Sequence, residues 1–354
     1  MTGIVFGNNA TLTLFNETTY GTRTNANGQK LFFTTENLKA TRQTFDSQTI
    51  TGDRERMKPV RGNVNVSGQI AMEVSPENML LMLYYAIGTW TTIPTAAGST
   101  GPFTHTFVTG SKLPSFQAQV NFGVDAPTGQ RYHLFSGLKI NTFSLQVPNN
   151  GNVTATFDCI GKNVVMSDSV IDSAPTTTTF TRYSSFEADI QINGSPATNV
   201  ESFSLTVANE LDESVYPIST DGLRTELPNG FQTVSGQFTA FFDNDLLLNS
   251  AKSGENVPII LSLKRGTETP GTSGNERMVF TLPFTMLEQT SPEVSGPGGV
   301  KLQIAFKAYK NLATAGSNIM SLVVKNTYAS YKDIPDPAAT PTSIPAAAAT
   351  PTSI

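Results

Sequence analysis

A strand-and-helix motif occurs twice in this chain of 354 residues, and the repetition constrains the fold more than any single residue does. The first copy, from Gly62 to Gly88, reads GNVNVSGQIAMEVSPENMLLMLYYAIG. The second, from Gly230, reads GFQTVSGQFTAFFDNDLLLNSAKSG. The copies align without a gap, because both Gly62 and Gly68 have a glycine 168 positions later. Repetition of this kind predicts two similar structural units in one chain.

Each copy begins with alternating apolar and polar residues, which predicts a strand with one buried and one polar face. Val64, Val66, Ile70 and Met72 share the apolar face of the first copy. The polar faces consist of Asn63, Asn65, Ser67, Gln69 and Glu73 in the first copy and of Thr233, Ser235, Gln237 and Thr239 in the second.

A short helix is predicted after each strand. Ser75 and Asp243 are suitable N-caps, Pro76 suits the first helical position, and Gly88 and Gly254 are suitable left-handed C-caps. Met79, Leu80, Leu83 and Ile87 would form one apolar stripe against a sheet.

The remaining sequence favours a mainly β protein with two tandem β-sandwich or split-barrel units, each with one short flanking α-helix. Only 14% of the residues are charged, and strands alternate with turns rich in Gly, Asn and Pro. We divide the chain into an N-terminal arm and first strand (1–35), a first unit (36–165), a linker (166–185), a second unit (186–310) and a C-terminal extension (311–354). The 1–35 segment suits either an arm on a neighbouring molecule or an edge strand. AATPTSI occurs at 338–344 and again at 348–354, which predicts an extended tail.

Two long charged loops occupy equivalent places in the two halves. They are either ordinary solvated loops or contact loops to another subunit, in which mixed charges would fix the register. The candidate contact residues are Asp53, Arg54, Glu55, Arg56, Lys58 and Arg61 in the first loop, and Glu210, Asp212, Glu213, Asp221, Arg224 and Glu226 in the second.

The sequence lacks most signals of catalysis. It has two histidines, His105 and His133, and one cysteine, Cys159, which the alternation places inward in a strand. Residues 243–245 resemble the start of a calcium loop, but the following residues lack the required spacing. We therefore expect no enzyme, no metal site and no cofactor.

Composition also restricts the partners. A net charge of −5 argues against a protein that grips nucleic acid through its phosphates, although nucleic acid could pass along its surface. The longest apolar run, 79–87, is shorter than the ~20 residues of a membrane helix. We expect neither membrane insertion nor a signal peptide.

Several of these segments together resemble the tail tube proteins of long-tailed bacteriophages. The resemblance covers most of residues 35–163 and extends through the repeat to about 310. It is carried by Phe45-Asp46-Ser47, Gly52-Asp53-Arg54, the 62–68 strand, Gly88-Thr89-Trp90, the 137–141 strand, Gly151-Asn152-Val153-Thr154, Phe157 and Gly161-Lys162.

This resemblance implies β units that assemble into rings, which stack into a tube for genomic DNA. Most such rings contain six one-unit subunits, so a two-unit chain implies a pseudo-sixfold trimeric ring. The polar strand faces become candidate lumen walls, and a mildly acidic lumen would not bind DNA. The expected partners are further copies of this chain, with tape-measure, tail terminator and tail-tip proteins. The expected location is the virion tail, after synthesis in the host cytoplasm.

Two other functions fit the same residues. A tandem β-sandwich adhesin or a carbohydrate-binding virion decoration protein would also have polar β faces and Thr-rich loops. A minor tail protein that forms one terminal ring would share the unit but not the stacking.

Overall fold

The computed structural model describes residues 4–93, 100–218, 220–243, 245–292, 294 and 296–329. Its helices are α1 (Leu80–Ile87) and α2 (Leu246–Ser253). The strands up to residue 170 are β1 (Thr11–Thr19), β2 (Thr22–Arg23), β3 (Gln29–Leu31), β4 (Thr35–Glu36), β5 (Lys39–Phe45), β6 (Val60–Glu73), β7 (Gly88–Ile93), β8 (Phe103–Thr109), β9 (Phe116–Asn121), β10 (Tyr132–Val147), β11 (Thr154–Gly161) and β12 (Asn163–Ser167). The later strands are β13 (Ala188–Ile192), β14 (Ser195–Pro196), β15 (Val200–Ala208), β16 (Thr233–Phe241), β17 (Ile259–Lys264), β18 (Arg277–Leu282), β19 (Thr285–Leu287), β20 (Lys301–Ala308) and β21 (Ser321–Asn326). The predicted tail at 335–354 lies outside the described residues.

A large antiparallel sheet joins the two halves of the chain. Its central strands run in the order β5–β6–β11–β10–β15–β16–β20–β19. The long strand β10 changes partners along its length, since residues 132–138 pair with β9 and β12 and residues 139–147 pair with β11 and β15. β1 lies between β9 and β3. Because its Leu12, Leu14 and Phe15 are buried, residues 11–19 form a core strand and neither an arm nor an edge strand.

The second sheet has the order β14–β13–β17–β18–β21–β8–β7. It therefore combines strands from both halves with β21, which lies within the predicted C-terminal extension. Tyr183, from the predicted linker, is also buried, and its backbone bonds to Val74 and Val153. These contacts tie the predicted linker and part of the predicted C-terminal extension to the core.

The two sheets pack face to face around a shared apolar core. Phe143 of β10 lies 6.5 Å from Phe280 of β18, measured between ring centroids. Residues of both sheets belong to one connected cluster of buried side chains. The predicted mainly β fold is confirmed and is consistent with a β-sandwich; the described strands form no closed barrel.

Helix α1 differs from the predicted amphipathic helix. Seven of its eight residues are buried, because it packs between β10 of the large sheet and the β7–β8 hairpin of the second sheet. The prediction that α1 would bury only one apolar stripe was therefore wrong. Gly88 ends the helix in a left-handed conformation (φ 105°), as predicted.

Both helices begin later than predicted. Ser75 does not cap α1 itself; its Oγ accepts from the Asn78 N–H at 3.4 Å, in a turn that precedes the helix. α2 begins at Leu246 with Asp245 in the N-cap position, and Asp243 accepts a hydrogen bond from Asn199. Gly254 ends α2 with φ 67°, as predicted.

Candidate functional site

The polar faces predicted on the two repeated strands lie on the large sheet. On β6, Val66, Ile70 and Met72 are buried, while Asn63 and Gln69 are exposed and Asn65, Ser67 and Glu73 are half-buried. On β16, Val234, Phe238 and Ala240 are buried, while Thr233 and Gln237 are exposed and Ser235 and Thr239 are half-buried. Both strands therefore turn an apolar face to the core and a polar face outward.

The strands between β6 and β16 continue this polar face, because directly opposed residues in a sheet share a side. One row of partners consists of Ala71, Thr156, Ser144, Thr206 and Ser235. The intervening strands contribute Thr154, Thr156 and Asp158 from β11, Thr142, Ser144 and Gln146 from β10, and Ser202, Ser204 and Thr206 from β15. We call this continuous surface the polar wall. Ser or Thr at alternate positions was the sequence signal for these strands, but the order of pairing was not visible.

β20 extends the polar wall and adds two lysines to it. Lys307 is opposite Ser235, and Lys301 is opposite Phe241. Each ammonium group lies 2.7 Å from a carboxylate, Lys301 from Glu201 and Lys307 from Glu288. Lys301 and Lys307 are thus paired with carboxylates. Two further basic residues, Lys39 opposite Ser67 and Arg61 at the start of β6, are exposed on the same side of the sheet.

The two long charged loops lie at the same end of the large sheet. Four antiparallel steps separate β6 from β16, so these strands run in the same direction. The segments that precede them, residues 46–59 (the first loop) and 209–232 (the second loop), therefore share an end.

The first loop is exposed. Its candidate contact residues Asp53, Arg54, Glu55, Arg56 and Lys58 are all exposed, as is Arg61 at the start of β6. Arg56 Nη1 lies 3.0 Å from Asp46 Oδ2, and the Arg56 side chain keeps 71% of its surface accessible. The apolar side chains of Ile50 and Met57 are exposed as well.

The second loop instead packs onto the first half of the same chain. Arg224 is 2% exposed and donates to the Gly161 carbonyl oxygen at 2.9 Å and to Asn65 Oδ1 at 2.8 Å. The Val64 N–H donates to the Gly222 carbonyl oxygen at 2.9 Å. Arg224 was predicted as a contact to another subunit; it is a buried residue that joins the two halves.

The acidic residues of the second loop are more accessible than Arg224. Glu210, Asp212, Glu213 and Asp221 are exposed. Glu226 forms an ion pair, because Lys139 Nζ lies 2.8 Å from its carboxylate. Ion pairing with Lys139 is one of the interactions that lower the pKa of Glu226 against the opposing effect of burial.

The histidines and the cysteine are embedded in packing contacts. Cys159 is buried, and burial raises the pKa of its thiol far above the ordinary range. His105 is buried between Trp90 and Asn326 and is hydrogen-bonded to both. Among the described residues, no group of three or more His, Cys, Asp or Glu side chains is arranged to hold a metal ion.

Neither helix within the described ranges has the length and apolar character that a membrane crossing requires. A search of the curated proteins found no match. A family model described as phage tail tube protein matches residues 7–308, which span both halves of the large sheet and end with β20. The chain therefore belongs to the phage tail tube protein family and is a structural protein of the virion tail.

Proposed function

We propose that three copies of this chain form a pseudo-sixfold ring and that such rings stack into a conduit for genomic DNA. The supporting observation is the order of the strands. β5–β6–β11–β10 in the first half is followed by β15–β16–β20–β19 in the second. In each half a long loop joins the first two of these strands and a short helix follows the second. We interpret the halves as two tube units, each a sixth of a ring.

The junction between the halves supplies a template for the junction between chains. The last strand of the first unit, β10, pairs with the first strand of the second unit, β15. In the described part of the chain, β5 pairs with β6 alone and β19 with β20 alone. Pairing of β19 with β5 of the next chain would repeat the junction and close the ring without exposed edges.

The polar wall is the surface we assign to the lumen. Its opposite face is covered by the second sheet, so only this face is available to line a channel. Ser, Thr and Gln dominate it. Of its basic residues, Lys301 and Lys307 are paired with carboxylates, and Lys39 and Arg61 lie toward its β5 edge. Such a wall attracts phosphate weakly, which suits DNA that must pass without binding.

The position of the long loops suggests the mode of stacking. Stacking of closed rings in one direction places the loop-bearing end of each ring against the opposite end of the next. The first and second loops share an end, so the two loops would not face each other across such a ring junction. Tape-measure, tail terminator and tail-tip proteins would bind the finished tube, and catalysis has no part in this function.

Negative-stain electron microscopy of the purified protein tests the proposal. We expect hollow rings or tubes. Monodisperse particles that bind glycans would favour the adhesin or decoration function. Single rings that never stack would favour a terminal ring protein.

A further inference from the structure

The two long loops are equivalent in sequence position but differ in environment. Phe45 opposes Val60 at the base of the first loop, and the Asp212 N–H bonds to the Pro228 carbonyl oxygen at the base of the second. Pro228 lies 168 positions after Val60, the same spacing as the repeated glycines, and Asp212 lies within one residue of that spacing from Phe45. The residue 168 positions before Arg224 is Arg56.

Arg56 and Arg224 also share a local contact. Each pairs with a carboxylate near the start of its own loop, Arg56 with Asp46 at 3.0 Å and Arg224 with Glu213 at 3.4 Å. The guanidinium of Arg224 also reaches Gly161 and Asn65 in the first half of the chain and is buried there. The Arg56 side chain is 71% exposed.

We infer that the first loop inserts Arg56 into the second unit of the neighbouring chain in the same ring. This inference rests on the proposed function, because it extends the junction between units to the junction between chains. In a free single chain the Arg56 side chain is exposed. The partner that we assign to it is a second copy of the chain.

The receiving site follows from the register. Arg224 binds the carbonyl of Gly161, which is opposite Val66, and the side chain of Asn65. In the second unit, Ala308 is opposite Val234, and Thr233 takes the place of Asn65. The predicted acceptors for Arg56 are therefore the Ala308 carbonyl oxygen and the Thr233 hydroxyl of the preceding chain, the one whose β19 pairs with β5.

Exposed apolar residues lie at both surfaces of this predicted contact. Ile50 of the first loop is 94% exposed and Met57 is 46% exposed. Phe231, two residues before Thr233, is 88% exposed. Large apolar side chains grouped at the surface are typical of interfaces.

The test compares Arg56→Gln with the matched control Arg54→Gln. Both remove one positive charge from the same loop. The counterpart of Arg54 is Gly222, which contacts the first unit through its backbone, so the Arg54 side chain has no role in the predicted contact. Sedimentation velocity measures the concentration at which rings form, and electron microscopy identifies them.

We expect Arg56→Gln to raise that concentration by about tenfold or more, since truncating one partner of a buried charged hydrogen bond weakens binding strongly. Arg54→Gln should shift it by less than about threefold. Arg56→Lys should fall between, because it keeps the charge but loses the forked geometry.

Two results would overturn the inference but not the proposed function. One is equal ring formation by Arg56→Gln and the wild type. The other is that Arg56→Gln forms normal rings and these rings do not stack. Absence of rings from the wild-type protein would overturn the proposed function as well. Unchanged thermal unfolding of the single chain controls for misfolding.

Discussion

The Arg224 guanidinium donates a 2.9 Å hydrogen bond to the carbonyl oxygen of Gly161, and this contact joins the second half of the chain to the first. Arg224 also donates to Asn65 and lies 4.8 Å from the ring of Tyr216. A cation in the interior is tolerated because these groups satisfy it. The two halves of the chain are thus held together by hydrogen bonds as well as by the shared sheet.

Loss of Arg224 should destabilise the folded chain. Arg224→Ala leaves the Gly161 carbonyl and the Asn65 side chain without this partner in a buried place. We expect the free energy of unfolding to fall by about 2–4 kcal/mol, measured by urea denaturation. Arg56→Ala is the control at protein concentrations below ring formation, where that side chain is exposed, and it should change the same quantity by less than about 0.5 kcal/mol. An equal effect of the two substitutions would contradict the assignment of Arg224 as the joint.

The repeated glycines are explained by close approach of neighbouring segments. A Cβ on Gly236 would lie 2.2 Å from the Ser204 carbonyl oxygen, and one on Gly68 would lie 2.6 Å from Leu38 Cα. Gly236→Ala and Gly68→Ala should therefore each lower the free energy of unfolding by about 1–3 kcal/mol in chemical denaturation. Gly7→Ala, where a Cβ meets nothing within 4 Å, is the control and should be close to neutral. Neutral behaviour at Gly236 would show that the strands can separate without cost.

His105 should make stability depend on pH. Trp90 Nε1 donates to His105 Nδ1 at 3.1 Å, so that nitrogen must be unprotonated, and burial lowers the His105 pKa below its ordinary value of 6.5. The unfolded chain therefore binds the proton more readily. The stability that neutral His105 contributes is complete above pH 6.5 and is lost as the pH falls below that value, with a slope of at most about 1.4 kcal/mol per pH unit.

Urea denaturation between pH 5 and 8 measures this dependence. His105→Asn should flatten the curve below pH 6.5. Burial also lowers the pKa of His133, with the same sign, but His133 is only half-buried. His133→Asn should therefore flatten the curve less; the opposite ranking would contradict the burial argument.

The polar wall should tolerate added negative charge better than added positive charge during DNA passage. Gln146→Lys with Gln237→Lys places two cations on exposed positions of the wall. Assembly should be normal, because neither side chain contributes to the core. DNA ejection from particles with this tube should slow at low salt and recover at high salt, since phosphate binding weakens with ionic strength.

The matched control places glutamates at positions 146 and 237. This variant should eject DNA at about the wild-type rate at both salt concentrations. Equal slowing by the lysine and glutamate variants would indicate a steric effect, and unaffected ejection in both would remove Gln146 and Gln237 from the lumen.

Local pattern predicted the strands that carry the motif. Period-two alternation identified β6 and β16 and their buried faces, and the glycine C-caps at Gly88 and Gly254 were correct because a left-handed residue is a local requirement. α1 was predicted as amphipathic, yet it is buried on nearly all sides, because the β7–β8 hairpin covers the face that the isolated helix would expose.

The sequence pattern did not predict which distant strands pair with each other. β10 pairs with four strands, and β21 lies between β18 and β8, neighbours from opposite halves of the chain. In the sequence Arg224 looked like the other charged loop residues. Its burial could not be predicted, because its hydrogen-bond acceptors come from distant segments. The 168-residue spacing between Arg56 and Arg224, the same as that of the repeated glycines, was nevertheless visible in the sequence.

The number of chains in each ring tests the central claim most directly. Cryo-electron microscopy of the assembled protein would count them and resolve the junction between neighbours. The duplicated order of strands predicts three chains per ring, with β19 of one chain beside β5 of the next. Six full chains per ring, or a junction that uses neither β5 nor β19, would contradict the account.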